Sequence, residues 1–170
     1  MSTRRIVILG FMASGKTTVA NEVARQLACR FVDLDSFITD REKRSPAEII
    51  TSDGEDAFRD VETLALRDVL QDKAAQVIAL GGGTWNTPAN RTLIALHDCL
   101  TVWLDAPFEL CWERIRSGDT TRPLAPDRES AKRRFARRRI DYQLAEKQIS
   151  VDDLSATQIA TEILNQPSSL

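Results

Sequence analysis

A chain of 170 residues, 42% hydrophobic and 28% charged, has the size and composition of one globular domain around a single core. Its 23 basic and 25 acidic residues leave a formal charge of −2, so nucleic acid and anionic membrane are not implied as partners and any basic site must be local. No apolar run approaches the roughly 20 residues that span a bilayer, no cleavage pattern follows the opening residues, and Cys29, Cys99 and Cys111 show no CxxC spacing, so a cytoplasmic chain without disulfides or zinc is expected.

In chain order, short β-branched runs alternate with longer amphipathic stretches. Strands are expected at 5–9, 30–33, 76–80, 100–104 and 149–152, and helices at 16–28, 54–71, 88–97, 107–116, 130–146 and 155–164. Such alternation builds βαβ units, hence an α/β fold with a mainly parallel sheet covered by helices on both faces. Nothing repeats at a fixed period and no stretch has linker composition, so residues 1–170 read as one domain. Segment 117–129 carries Gly118, Pro123 and Pro126 among charged residues and reads as an exposed loop, whose functional version is a lid.

The strongest signal follows the first strand. Gly10-Phe11-Met12-Ala13-Ser14-Gly15-Lys16-Thr17 is a complete GxxxxGK[ST] run opening an amphipathic helix that carries Val19, Val23 and Leu27. Glycine lets the backbone aim successive N–H groups inward, and those donors with the positive helix end can hold polyphosphate oxygens. Lys16 would reach the β- and γ-phosphates, and Thr17 would offer its hydroxyl to Mg²⁺. A glycine turn that merely caps a helix would not require Lys and Thr after Gly15.

Where a phosphoryl group would go must be read from the other strand ends, since ligands of open α/β sheets sit at the carboxyl ends of the strands. Asp33-Leu34-Asp35 ends the second strand; one carboxylate suits a Mg²⁺ shell and the other an attacking hydroxyl, while a plain helix cap before 36–41 is the bland reading. Gly81-Gly82-Gly83 ends the third, where a ligand can approach bare backbone or the chain can simply turn. Arg59, Arg122 and the basic run 132–139 offer guanidinium forks for carboxylates and phosphates, although any one of them alone would read as a solvated surface residue. His97 reads as a helix-end residue, and Trp103 and Trp112 read as core.

This series resembles shikimate kinase, a small P-loop family related in fold to the nucleoside monophosphate kinases. The phosphate loop, Asp33 and Asp35, Asp53-Gly54-Glu55 followed by Phe58-Arg59 and Glu62, the triple glycine, Arg122-Pro123-Leu124, and Arg138 with Tyr142 occur in the family's order over nearly the whole chain. The resemblance implies a three-layer fold with a five-stranded parallel sheet in the order 2-3-1-4-5, and ATP-dependent phosphorylation of the shikimate 3-hydroxyl in aromatic amino-acid biosynthesis. It also implies Gly10, Ala13, Ser14, Gly15, Lys16, Thr17, Thr18, Arg116 and Arg122 on ATP, with the alignment around Arg116 able to slip to Arg114. Thr17 and Asp33 would serve Mg²⁺. Asp35, Arg59, Gly81, Gly82, Gly83 and Arg138 would hold the acceptor, with Lys16, Asp35 and Arg122 catalytic. The implied partners are small molecules, and a monomer is expected.

Three positions depart from the family pattern. Ile140 replaces the proline of an Arg-x-Pro-Leu-Tyr run, which puts the place of Arg138 in question. Ile50 stands where an aromatic often lines the acceptor pocket, and Trp85 follows the triple glycine where smaller residues are common. Trp85 is expected beside the acceptor pocket, with packing inward under the next helix as the alternative. A kinase for another hydroxy acid such as gluconate or for a nucleotide, and a sensor that holds ATP and shikimate without turnover, are the competing functions.

Overall fold

The computed structural model describes residues 4–118 and 122–165. Five strands, β1 (Ile6–Leu9), β2 (Phe31–Asp33), β3 (Val77–Ala79), β4 (Leu100–Asp105) and β5 (Lys147–Ser150), pair in the order β2-β3-β1-β4-β5, every pair parallel. β1 lies between β3 and β4, which is why Ile6-Val7-Ile8-Leu9 is apolar at every position: both faces of a central parallel strand are covered. β5 is an edge strand and alternates buried and exposed residues.

Among the described residues the helices are α1 (Lys16–Gln26), α2 (Leu34–Glu42), α3 (Pro46–Asp53), α4 (Glu55–Gln71), α5 (Pro88–Leu96), α6 (Phe108–Ser117), α7 (Arg128–Tyr142) and α8 (Ala156–Asn165). A 3-10 turn, Thr84–Asn86, follows the triple glycine. None is long and apolar enough to cross a membrane.

Differences from the sequence expectation have local causes. The run 34–53 contains two helices, the first of them the helix over 36–41 that was only the bland alternative for Asp33 to Asp35, the second not expected. Asp33 caps α2 through its side chain, which accepts from the Ser36 amide, and Lys43 ends it in a left-handed conformation at φ 57°. Ser45 and Glu48 form a reciprocal capping box for α3, with Pro46 in the first turn. α7 begins at Arg128, because Asp127 is its cap, and ends at Tyr142 rather than 146. β5 is correspondingly earlier, at Lys147–Ser150 instead of 149–152, and the chain turns at Asp153 with φ 57°. Of the segment expected to be a lid, residues 119–121 lie outside the described residues.

Candidate active site

The phosphate loop turns tightly out of β1. Ala13 sits at φ 61° and Gly15, the N-cap of α1, at φ 96°, left-handed geometry that glycine adopts without strain and alanine does not. Gly10 is kept bare by close approach, since a Cβ there would lie 2.8 Å from the Leu104 carbonyl oxygen. The Ser14 hydroxyl is buried without a partner. Lys16 is the first residue of α1 and is buried, its Nζ donating to the Phe11 carbonyl at 2.8 Å. Burial pulls its pKa down to about 8, with Asp35 opposing. Thr17 and Thr18 are exposed in the first turn of α1.

Asp33 makes the helix cap and also stands beside Thr17. One carboxylate oxygen accepts from the Ser36 amide at 2.9 Å, while the other accepts from the Thr17 hydroxyl. The bland cap and the metal-side position are therefore compatible, because a carboxylate has two oxygens. No cluster of three or more His, Cys, Asp or Glu able to cage a metal occurs among the described residues. A hydroxyl and one carboxylate suit Mg²⁺, which keeps several waters and relies on phosphate oxygens for the rest of its shell.

Beside the loop lies a cavity of about 900 Å³ whose lining includes Met12, Asp35, Ile50, Arg59, Glu62, Gly81, Gly82, Gly83, Arg122 and Arg138. All of the residues expected to hold an acceptor meet there. α3 supplies one wall, including Ile50, so the unassigned helix is part of the site. Asp35 lines the cavity, exposed to the solvent within it yet set among many surrounding protein atoms. Enclosure and the negative fields of Asp33 and Glu62 raise its pKa to about 6, against the pull of Lys16 and Arg122.

The triple glycine is built for space. None of its three residues has positive φ, and the reason for them lies in what surrounds them. A Cβ on Gly81 would stand 2.8 Å from Asp35 Oδ1 and 3.0 Å from Glu62 Oε1. One on Gly83 would run into the Arg59 guanidinium and lie 2.7 Å from Arg138 Nη2. Two guanidinium groups thus converge on the backbone at Gly83.

These two arginines differ in their partners. Arg59 is held by α4 itself, donating to Glu62 at 2.7 Å and Glu55 at 3.2 Å, the i+3 and i−4 neighbours on its face. Arg138 is 5% exposed and has no acidic group within ion-pair distance among the described residues. Burial, then Arg59 and Arg134, lowers its pKa, with the Tyr142 side chain opposing. Despite Ile140 at the proline position, Arg138 remains in the cavity wall.

Glu62 is the functional residue that the sequence reading quoted without giving it a task. It is fully buried, accepts from Arg59 Nη1 and from the Thr84 hydroxyl at 2.6 Å, and thereby ties α4 to the turn after the glycines. Its i+3 spacing from Arg59 was the available signal. Arg114, not Arg116, reaches the phosphate loop: its Nη1 donates to the Ala13 carbonyl at 3.1 Å, whereas Arg116 pairs with exposed Glu113 at 2.8 Å. Trp85 does not line the cavity; it is 5% exposed and its indole N–H donates to the Asp141 carbonyl at 2.8 Å. Trp103 is core, but Trp112 is half-buried and stacks on Phe108 at the surface of α6. His97 caps the C-terminal end of α5, away from the site.

Comparison with known proteins agrees with this geometry. A family model described as shikimate kinase matches residues 12–167. The shikimate kinase of Persephonella marina is 36% identical over 96% of this chain and 98% of its own length. That of Lactococcus lactis is 37% identical over 93% of this chain and 94% of its own. Among solved structures, the Acinetobacter baumannii shikimate kinase in complex with shikimate superposes with a TM-score of 0.88 at 30% identity, covering 95% of this chain and 92% of that one. A Sinorhizobium meliloti gluconokinase, at 17% identity and a TM-score of 0.64, shares the fold alone. With a phosphate loop, an acidic strand end, paired arginines at a bare glycine backbone and full-length relatives, the chain belongs to the shikimate kinase family.

Proposed function

We propose that this chain transfers the γ-phosphoryl group of ATP to the 3-hydroxyl of shikimate, a step toward chorismate and the aromatic amino acids. The observation that carries the reading is Arg138, a buried guanidinium in the cavity wall, beside Arg59, with no acidic partner among the described residues. The favourable neighbours of Arg138 are the Tyr142 hydroxyl and the charge of Glu55, which lies beyond ion-pair distance, so a ligand carboxylate can add two parallel hydrogen bonds to this guanidinium. The acceptor therefore carries an anion that a guanidinium fork can match, and we read it as a carboxylate. Asp35 lines the same cavity and offers oxygens to ring hydroxyls, so a hydroxylated ring acid engages both kinds of group. Shikimate bound to the Acinetobacter relative supports the same choice.

Each residue then has a task. The amides of the loop from Gly10 to Thr18, with Ser14, cradle the ATP phosphates, and Lys16 follows the γ-phosphate as charge develops on it. Arg114, rather than Arg116, attends the nucleotide from α6. Thr17 and Asp33 would hold Mg²⁺, which when bound neutralises phosphate oxygens. Asp35 orients the attacking hydroxyl and accepts its proton: at about 6 its pKa leaves it ionised at pH 7 yet more basic than an ordinary aspartate. Arg122, in the same wall, faces the transferring group. Gly81, Gly82 and Gly83 admit the acceptor, whose carboxylate Arg59 and Arg138 clamp.

Shikimate methyl ester tests the reading, because it keeps the ring hydroxyls and removes the charge. ADP release with the ester should show kcat/KM lowered by about 100-fold or more, mostly through KM, and Arg138→Ala should shrink the difference between acid and ester, leaving the part due to Arg59. Equal use of both by the unmodified enzyme would overturn it.

A further inference from the structure

Resting on the assignment of Arg138 to the acceptor, we propose that Arg139 is a positioning residue that sets where Arg138 stands, acting through Asp105 at the end of β4. Arg139 makes a two-pronged pair with Asp105, Nη1 to Oδ1 at 2.7 Å and Nη2 to Oδ2 at 3.0 Å. Its guanidinium lies 5.0 Å from the centre of the Trp103 ring, on the same strand, and 6.0 Å from that of Phe135. Asp105 is itself fixed from β5, where Gln148 Nε2 donates to Oδ2 at 2.7 Å. A planar fork held at both prongs and flanked by aromatic rings fixes orientation as well as distance.

The neighbouring contacts explain why this matters for residue 138. On another side of α7, Asn86 Nδ2 donates to the Arg138 carbonyl at 3.2 Å and to Asp141 Oδ2 at 2.9 Å. Trp85 holds the Asp141 carbonyl, and the Tyr142 hydroxyl donates to the Gly82 carbonyl. These fasten the end of α7 to the glycine turn, and the Arg139 fork fastens it to the sheet. Consecutive helical residues point about 100° apart, so the pair that anchors Arg139 to β4 fixes the rotation that aims Arg138 into the cavity. With side chains reaching roughly 6 Å from the helix axis, a 10° rotation moves the tip by about 1 Å. A misplacement of about that size can cost up to about 100-fold in a clamp whose value depends on alignment.

The experiment is steady-state kinetics and thermal unfolding of Arg139→Gln, Asp105→Asn, the double variant, Arg139→Lys, and Arg138→Ala as reference. Both single variants should raise the shikimate KM about tenfold, leaving kcat and the ATP KM within about twofold, because a carboxylate clamp acts equally in ground and transition states. The double variant should be no worse than either single one, since both remove the same pair. Arg139→Lys keeps the charge but loses the fork and should recover part of the KM. A lowered melting temperature with unchanged shikimate KM would overturn the proposal, as would multiplying effects in the double variant. Unchanged shikimate KM in Arg138→Ala would remove the assignment of Arg138 itself, whereas a raised KM there with an unchanged one in Arg139→Gln would remove the positioning role alone.

Discussion

Asp35 and Lys16 carry opposite perturbations at one place. Enclosure and the carboxylates of Asp33 and Glu62 lift Asp35 to about 6, and burial brings Lys16 down to about 8. In the proposed roles the carboxylate acts ionised and the ammonium charged, so kcat/KM should rise through about pH 6 and fall through about pH 8, a bell measured on the free enzyme. Asp35→Asn should lose kcat by roughly 100-fold or more with the acid limb gone, since a general base contributes that much. Its stability should shift the other way. Asp35 binds its proton more tightly folded than unfolded, so its ionisation erodes stability as pH rises from near the ordinary 3.8 to about 6, and that loss persists above it. Denaturant titrations should find Asp35→Asn more stable than the unmodified enzyme at pH 7.5, with the advantage gone at pH 3.5. Lys16→Met should abolish turnover while leaving the melting temperature within a few degrees, because the Lys16 ammonium donates to the Phe11 carbonyl within its own loop rather than to a distant element. Glu62→Gln should raise the shikimate KM about tenfold and spare the ATP KM, since Arg59 loses its buried charged partner while the phosphate loop is untouched.

Among the elements, the phosphate loop with α1 was readable because glycine, lysine and threonine are each demanded by a separate physical need at fixed spacing. α3 was not read, although Ser45-Pro46-Ala47-Glu48 is a capping box with proline in the first turn. Its eight residues bury Ile49 alone, too little periodicity to stand out. The site inherits this omission, since α3 walls the acceptor cavity. Ser45→Ala should therefore destabilise the protein by about 1 kcal/mol and loosen acceptor binding more than ATP binding, read from denaturant midpoints and the two KM values. Trp85 shows the opposite limit. Sequence order put it next to the glycines, but the 3-10 turn carries its ring inward to the end of α7, a contact 56 positions away that no local pattern encodes. Arg138 keeps its place without the proline because long-range bonds fasten the end of its helix, from Asn86 and Tyr142 to the glycine turn and from Arg139 to Asp105 on the sheet, and these too are invisible in the local run.

For the whole molecule, the alternation of strands and helices is enough to expect a parallel sheet, whereas its order β2-β3-β1-β4-β5 was implied only by the family resemblance; in a parallel sheet the carboxyl ends of the strands share one edge. Asp33 ends β2, the glycines follow β3, the phosphate loop follows β1, and Asp105 ends β4. Composition indicates the class and the loop the donor, the acceptor comes from the resemblance of the whole motif series to one family, and the structure adds that Arg59 and Arg138 converge on Gly83. ATP-dependent phosphorylation of shikimate is the central claim. Its most direct test is ADP release by the purified protein with Mg²⁺ and ATP across shikimate, quinate, gluconate and nucleoside monophosphates, with the phosphorylated position of the product assigned by NMR. The account predicts turnover with shikimate, kcat/KM at least about 100-fold above every other acceptor, and phosphate on the 3-hydroxyl; no shikimate-dependent ADP release, or preference for gluconate or a nucleotide, would contradict it.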